Sequence, residues 1–470
     1  MKFARSIYSI LALLSAMAVF PARAAAQDFF PYPVKKTTLD NGLDILIVEM
    51  PEFKDVLSFN MLVLVGARNE PEAGKTGFAH LFEHIMFRHK FNGEPNGYAD
   101  AIDRLGAHNN AWTWFDVTFY HPLTFTANLE AVTRPSGEVI PGLLELEAAR
   151  FTALNFDEEI FKTETGAVMG EYRKSAASPR LAMSEKQLAL AYPDHPYGHT
   201  TMGFYDDVID MANHYEHARW FHSTYYRPNN CVLVVAGDIT QEDLLPDLVA
   251  AFGGWEPGDI PAVPDLDPTL NGEKRGEVPW EAPVPPRVSV SYLSPRFVAG
   301  SKATAVGQVL GELLTSESAP LYRLLRSEKK TASSLHLSAT EGFGPRLVEL
   351  DAQLFNDQYA DRGTVLVEEV IDDVIAGCED LKHFSELQGA GQLLEMVKSK
   401  YKYDLLAQLN SPANVALNLA YYYRFERDPQ VLDRLVRSVQ ELTPGDIEAF
   451  ARDYFVADNR VVVTLAPVQQ

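Results

Sequence analysis

The chain carries one helix-to-strand unit twice. Phe221–Gly237 reads FHSTYYRPNNCVLVVAG, and Phe450–Ala466 reads FARDYFVADNRVVVTLA. Aligned without gaps, Phe221, Tyr225, Asn230, Val232 and Val234 fall on Phe450, Tyr454, Asn459, Val461 and Val463, a constant offset of 229. A unit recurring at that distance in 470 residues predicts duplicated halves. Trp255 to Arg287, rich in Pro, Asp, Glu and Gly, reads as the joint between them. The expected division is 27–255 for the first half, 256–286 for a linker and 287–470 for the second half.

Within each half the pattern mixes strands and helices. Leu43–Val48 and Leu57–Val65 read as apolar strands, and His108–Tyr120, aromatic and β-branched, as a strand or hairpin. Ala99–Leu105, Leu143–Leu154 and Tyr215–Thr224 read as helices. The pattern restarts with a strand at Val288–Leu293 and a helix at Ala303–Leu314. The expectation is an α+β fold.

The chemistry concentrates in Gly74–Phe87, which contains His80-Leu81-Phe82-Glu83-His84, an H-x-x-E-H motif. On a helix His80 and His84 lie one turn apart on the same face, within reach of one metal ion. Glu83 then projects beside the pair, placed to act on a water without binding the metal. That is the inverted form of the motif used in zinc-assisted hydrolysis. A third ligand is expected on the helix from Asp157 to Lys174, where Phe161, Glu164, Val168 and Glu171 recur at spacings of three, four and three. Carboxylates on such an apolar stripe are costly unless paired, hydrogen-bonded or bound to metal. Glu171 is read as the third ligand and Glu164, two turns earlier, as its supporting acid. His195 and His199 sit in a Pro- and Gly-containing loop, Tyr192–His199, and are read as structural. The second half has no H-x-x-E-H counterpart, and its early helix Ala303–Leu314 has no histidine. One half is expected to do the chemistry and the other to shape the cavity.

The formal net charge is −23 with no basic run to offset it, so nucleic acid is not an expected partner. Lys2 and Arg5, the apolar run Ile7–Phe20 and the small residues around Ala24–Ala26 read as a cleavable secretory signal ending at Ala26. Its removal leaves 38 basic against 64 acidic side chains, a mature charge of −26. The protein is therefore expected to be periplasmic or secreted, with no membrane span in the mature chain. Cys231 and Cys378, in different halves, are expected to be buried free thiols.

Together these residues resemble the pitrilysin/insulinase family of inverted-motif zinc peptidases, in its shorter type that includes the mitochondrial processing peptidase subunits and their bacterial relatives. The marks are Leu39-Asp40-Asn41-Gly42-Leu43, the His80–His84 motif, Gly106 with Asn110-Ala111-Trp112-Thr113, and Glu164 and Glu171 seven apart. His195-Pro196-Tyr197-Gly198 with Gly203, and Tyr226–Gly237, complete the set. The resemblance covers nearly all of the mature chain. It implies two homologous domains, each a mixed, mainly antiparallel sheet packed with helices, and two chains closing as a clamshell. It implies one zinc ion on His80, His84 and Glu171, Glu83 as general base, and peptide substrates pairing with the Asn110-Ala111 strand. It also implies an arginine, followed seven residues later by a tyrosine, reaching over the cleft from the second half. Arg326 fits the arginine, but the tyrosine position is Ser333. The expected partner is thus a homologous chain without zinc ligands that supplies the Arg/Tyr pair, or else a second copy of this chain.

Overall fold

The computed structural model describes residues 29–264 and 266–467, so the expected signal segment lies outside the described residues. The first half contains strands β1 (Val34–Thr38), β2 (Asp44–Glu49), β3 (Val56–Val63), β4 (Ala111–Thr113), β5 (Thr118–Tyr120) and β6 (Leu123–Phe125). A small hairpin, β7 (Val132–Thr133) with β8 (Val139–Ile140), precedes β9 (Cys231–Gly237). Its helices are α1 (Phe78–Ile85), α2 (Gly97–Leu105), α3 (Leu143–Thr152), α4 (Glu158–Ala176), α5 (Pro179–Ala191), α6 (Tyr205–Asp210), α7 (Tyr215–Tyr225) and α8 (Gln241–Phe252). The second half contains β10 (Lys274–Trp280), β11 (Arg287–Leu293), β12 (Ala332–Ala339), β13 (Leu347–Leu354) and β14 (Arg460–Pro467). Its helices are α9 (Lys302–Gly307), α10 (Leu310–Thr315), α11 (Pro320–Arg323), α12 (Asn356–Arg362), α13 (Thr364–Asp380), α14 (Ala390–Gln408), α15 (Pro412–Glu426), α16 (Val431–Gln440) and α17 (Pro444–Tyr454).

The duplication is plain in the sheets. The first runs β1-β2-β9-β3-β5-β4, with β6 also on β3; the second runs β10-β14-β11-β13-β12. In each, one parallel pair (β2 with β9, β10 with β14) sits in an otherwise antiparallel sheet. The register repeats as well: Asn60 faces Val234 as Ser289 faces Val463, again 229 apart. The same offset governs a side-chain lock. Asn230 Nδ2 donates to Tyr225 O and Leu64 O, at 2.9 and 3.3 Å, and Asn459 Nδ2 donates to Tyr454 O and Leu293 O, at 2.9 and 2.8 Å. The asparagine ties the end of a helix to the start of the next strand and to the neighbouring strand, which accounts for its presence in both copies.

Two expectations are corrected here. The stretch read as a linker is strand from Lys274 to Trp280, paired in parallel with β14, so the second half begins inside it. Proline and acidic residues obscured a strand that lies at the sheet edge, where proline is tolerated. The helix expected over Ala303–Leu314 is two helices, α9 and α10, broken at Gln308–Val309.

The halves interlock. Helix α5 packs on β10 and β14 of the second sheet, and α15 packs on β3 and β9 of the first. Both helices open on Ser-Pro, with the Ser178 and Ser411 side chains capping them. Among the described residues, two apolar clusters draw on both halves, Phe119 and Val232 with Leu419 and Tyr423 in one, Phe115 and Met183 with Leu347 and Val463 in the other. Around the second, Arg346 lies buried over the rings of Phe115 and Tyr197, 3.6 and 4.4 Å from their centroids. Cys231 and Cys378 are buried free thiols, as expected.

Candidate metal centre

Helix α1 is amphipathic for a simple reason. Phe78, Ala79, Leu81, Phe82 and Ile85 are buried, which turns His80, Glu83 and His84 to the other face. Phe82 is the anchor: its ring stacks on Phe221 at 5.6 Å and touches Phe156, His222 and Tyr226. Its carbonyl accepts from Tyr120 Oη at 3.1 Å. The N-terminus of α1 is held by Glu70, whose carboxylate accepts from the N–H groups of Gly77 and Ala79 at 2.7 and 2.6 Å. Gly77 has φ near +90°, and a Cβ there would lie 2.7 Å from Met202 O, so only glycine lets the Gly203 loop press against this turn.

Helix α4 crosses α1 and starts as expected at Asp157, whose side chain accepts from Ile160 N–H at 3.0 Å. Phe161, Glu164 and Val168 are buried, but Glu171 is half exposed, beyond the stripe on which the spacing placed it. It nevertheless meets the histidines. Glu171 Oε2 lies 3.4 Å from His80 Nε2 and 3.6 Å from His84 Nε2. Taking one ligand atom each, His80, His84 and Glu171 converge within 4.8 Å, and they are the one such group among the described residues. His84 turns its other nitrogen, Nδ1, to Glu164 Oε2 at 3.4 Å, and Glu164 Oε1 accepts from Arg88 Nε at 2.8 Å. Glu83 stands beside them, its Oε2 accepting from Thr113 Oγ1 on β4 at 2.7 Å.

The electrostatics follow the contacts. Burial works against a charged His84, but its hydrogen bond to Glu164 and the charges of Glu171, Glu164 and Glu83 outweigh it and raise its pKa. The hydrogen bond from His80 leads in holding the Glu171 carboxyl below the usual range. Glu164 is also held low, burial opposing and His84 and Arg88 prevailing.

The structure thus brings together five residues named from sequence, His80, Glu83, His84, Glu164 and Glu171. Ala111 opens β4 and Asn110 lies just before it, at the outer edge of the first sheet, with Asn110 Oδ1 accepting from Ala111 N–H at 2.9 Å. Arg326 is elsewhere: its Nη1 donates to Ala332 O at 3.2 Å, and it makes neither hydrogen bond nor ion pair to the five. Ser333 bonds to Gln353 O and so cannot mimic a tyrosine reaching outward. Sequence reasoning missed Thr113, Arg88 and Glu70. Arg88 was findable, four residues after His84 on the same helical line; Thr113 was noted as a mark but given no partner. The loop histidines are structural as expected: His195 bonds to Leu266 O, and His199 is buried.

Comparison with known proteins agrees with this geometry. Residues 46–204 match Insulinase (Peptidase family M16), and residues 214–380 match the Peptidase M16 inactive domain, together more than two thirds of the chain. A curated relative, the zinc protease PqqE of Helicobacter pylori, is 28% identical over 98% of this chain and 99% of its own length. The crystal structure of a protease from Helicobacter pylori superimposes with a TM-score of 0.81 at 27% identity, covering 93% of this chain and 100% of that one. A peptidase M16 inactive domain from Pseudomonas fluorescens shares the fold, with a TM-score of 0.76 at 16% identity over 93% of this chain and 98% of that one. With both halves matched in order and the inverted motif on its helix, the chain belongs to the insulinase family, peptidase family M16.

Proposed function

We propose that the protein is a zinc-dependent endopeptidase acting on peptides or unfolded protein segments outside the cytoplasm, as the catalytic subunit of a two-chain clamshell. The observation that carries this is the convergence of His80, His84 and Glu171. Ligands about 2.0–2.1 Å from a tetrahedral zinc ion lie roughly 3.3–3.4 Å apart. The His80–Glu171 and His84–Glu171 separations of 3.4 and 3.6 Å fit that edge. Two imidazoles and a carboxylate are also the donor set zinc favours when one position stays open for water.

Zinc held there supplies Lewis acidity toward a peptide carbonyl and makes a water more acidic. The chain's residues do the rest. Glu83 takes a proton from the attacking water and returns it to the departing amine. The Thr113 hydroxyl fixes one oxygen of Glu83 and leaves the other for that work. Glu164 faces His84 Nδ1 and directs Nε2 toward Glu171, while Arg88 fixes Glu164 in turn. The free edge of β4 offers backbone groups to an extended peptide, which would add as a further strand with Asn110 and Ala111 at its start.

The zinc-protease names of full-length relatives support the reading, and the N-terminal signal expected from sequence supports the compartment. The Ser333 hydroxyl, tied to the β13 backbone, favours a homologous partner that brings its own Arg/Tyr pair. The test is metal analysis with Glu83→Gln. One zinc per chain in both proteins, with cleavage of a quenched peptide library lost by about 10³-fold in the variant, is expected. A metal-free parent protein, or an unchanged rate in the variant, sinks the proposal. Co-purification that yields only a self-paired, fully active enzyme rules out the heterologous partner.

A further inference from the structure

Because the halves repeat, each position in one sheet has a counterpart in the other. In the first sheet a row across three strands reads Leu62, Phe119, Trp112, in register on β3, β5 and β4. This row is apolar and packs with the cluster that includes Leu419 and Ala420 of α15. The corresponding row of the second sheet reads Ser291, Glu349, Ser338, in register on β11, β13 and β12. The next row is Ser289, Asp351, His336. By the same symmetry these rows face α5. Instead of close packing there is a cavity of about 530 Å³, lined by Glu349, Asp351, His336, Ser338, Gln187 and Trp114 among others.

The polar face is not an ordinary solvated sheet surface, since α5 and Trp114 roof it. Nor is it a packing surface: further along the same face, Val463 and Leu465 pack with Met183 and Leu188 of α5. Gln187 of α5 reaches down to the strands, its Nε2 donating to Ser291 Oγ at 2.8 Å and its Oε1 accepting from Ser289 Oγ at 3.2 Å. Among the described residues, neither carboxylate has an ion-pair partner. Holding two acids in a half-buried cavity is costly, and the two arginines that also line it, Arg180 and Arg287, lie toward Asp351. Burial, and then the charge of Asp351, push the pKa of Glu349 up to about 7, against the pull of Arg346.

The cavity is polarised along its length. Arg287 stands opposite Gln353 and donates to its Oε1 at 2.7 Å, and Arg180, at the start of α5, is exposed. Both act on Asp351 through space. Glu349 sits two residues closer to the β12–β13 loop. That loop docks on the β4–β5 turn, with Gly344 N–H donating to Tyr197 Oη at 3.2 Å and Tyr197 Oη donating to Asp116 Oδ1 at 2.7 Å. The acidic end therefore abuts Trp114, one residue beyond the Thr113 that holds Glu83. Arg346 nearby is stacked on Phe115 and Tyr197 and reaches Glu349 only through space.

We propose that this cavity is a side-chain subsite of the peptide cleft, taking the ammonium or guanidinium of a lysine or arginine in the bound peptide, with Glu349 as its direct partner and Asp351 behind it. The subsite rests on the peptidase reading above, since β4 is what brings a peptide to its mouth. Measured binding to the Glu83→Gln protein separates the two. The probes are N-acetylated, fluorescently labelled neutral peptides in which a single lysine, or norleucine as its uncharged match, is moved along the sequence. Lysine is expected to bind about tenfold or more tighter than norleucine at one position. That preference disappears in the Glu83→Gln/Glu349→Gln/Asp351→Asn protein, while norleucine peptides bind as before. Should those added substitutions unfold the protein, the salt series on the Glu83→Gln protein decides: the preference shrinks as ionic strength rises. A lysine scan without any preferred position overturns the subsite alone. No binding by any peptide overturns the peptidase reading and the subsite together.

Discussion

The two halves share a strand order, a parallel pair in the same place and a helix opening on Ser-Pro that crosses to the other half. They differ where His80, His84 and Glu171 converge. Helices α4 and α14 have 19 residues each, and both precede those Ser-Pro turns. Matching their buried positions sets Phe161, Glu164, Thr165 and Tyr172 against Leu394, Val397, Lys398 and Leu405. On that match Glu171 corresponds to Asp404 and the supporting Glu164 to Val397. The acid at the metal-facing position survives, but the one that would orient a histidine is replaced by an apolar residue, and no histidine is there to orient. Where the first half gathers ligands for a cation, the second supplies its own: Lys400 Nζ lies 3.1 Å from Glu312 and 2.5 Å from Asp404. One architecture gathers two histidines and a carboxylate in one copy and a surface ammonium bridge in the other, and a few side chains decide which.

The largest test removes what the first half has and the second lacks. Glu171→Gln takes the carboxylate from the centre and leaves two imidazoles. Bound zinc is expected to fall from one per chain to none after dialysis against a weak chelator, with peptidase activity lost alongside. Full retention of zinc would break the contrast, since the centre would then not need the residue that aligns with Asp404.

The next effect is smaller and lies behind the ligands. Glu164→Gln weakens the hold on His84 Nδ1 and leaves Arg88 without its partner. A loss of about 10–100-fold in zinc affinity is expected, the usual cost of an outer partner to a ligating histidine. Competitive chelator titration measures it. A variant that binds zinc like the parent would mean that valine in the second half is as good a neighbour as glutamate in the first.

Much of this contrast was legible in the chain itself. The Asn230/Asn459 offset gave away the duplication because an asparagine tying two strands and a helix must keep its place in both copies. The H-x-x-E-H run and the Glu164/Glu171 spacing foretold that these side chains would meet, because helical geometry converts spacing directly into proximity. What stayed hidden depended on contacts between distant segments. Nothing local in Ala111–Thr113 says that Thr113 will bond Glu83, and nothing in Leu347–Leu354 says that its acids will face a roofed cavity rather than water. The linker was misread for a related reason: β10 is a strand only because β14, nearly two hundred residues later, pairs with it.

The helix that carries the H-x-x-E-H motif and the first helix after β11 also differ in how they begin, and this gives a prediction in pH. Helix α9 is capped by the Ser301 hydroxyl, which has no charge to lose, whereas α1 is capped by the buried carboxylate of Glu70. Burial pushes the Glu70 pKa up to about 8, against the pull of the Ala79, Gly77 and Phe78 amides. A carboxyl whose folded pKa lies above its unfolded value of 4.5 binds its proton more tightly when folded. Its contribution to stability is therefore complete below about pH 4.5 and is lost as pH rises toward about 8. Melting temperature is expected to fall across that window in the parent and to fall less in Glu70→Gln, which stays neutral throughout. Equal slopes for the two proteins would mean that the amides hold the carboxylate ionised at every pH.

The smallest expected effect concerns the Lys400 bridge of the second half. Lys400, Glu312 and Asp404 are each at least a third exposed, and exposed ion pairs contribute little. Lys400→Met should therefore change unfolding free energy by less than about 1 kcal/mol in a urea titration and leave zinc content and cleavage rate alone. It also leaves Glu312 and Asp404 facing each other with nothing between. If the second half kept a latent metal centre, this variant would take up a second equivalent of zinc. The expected result is no second equivalent, because two partly exposed carboxylates without an imidazole lack the nitrogen donors gathered in the first half.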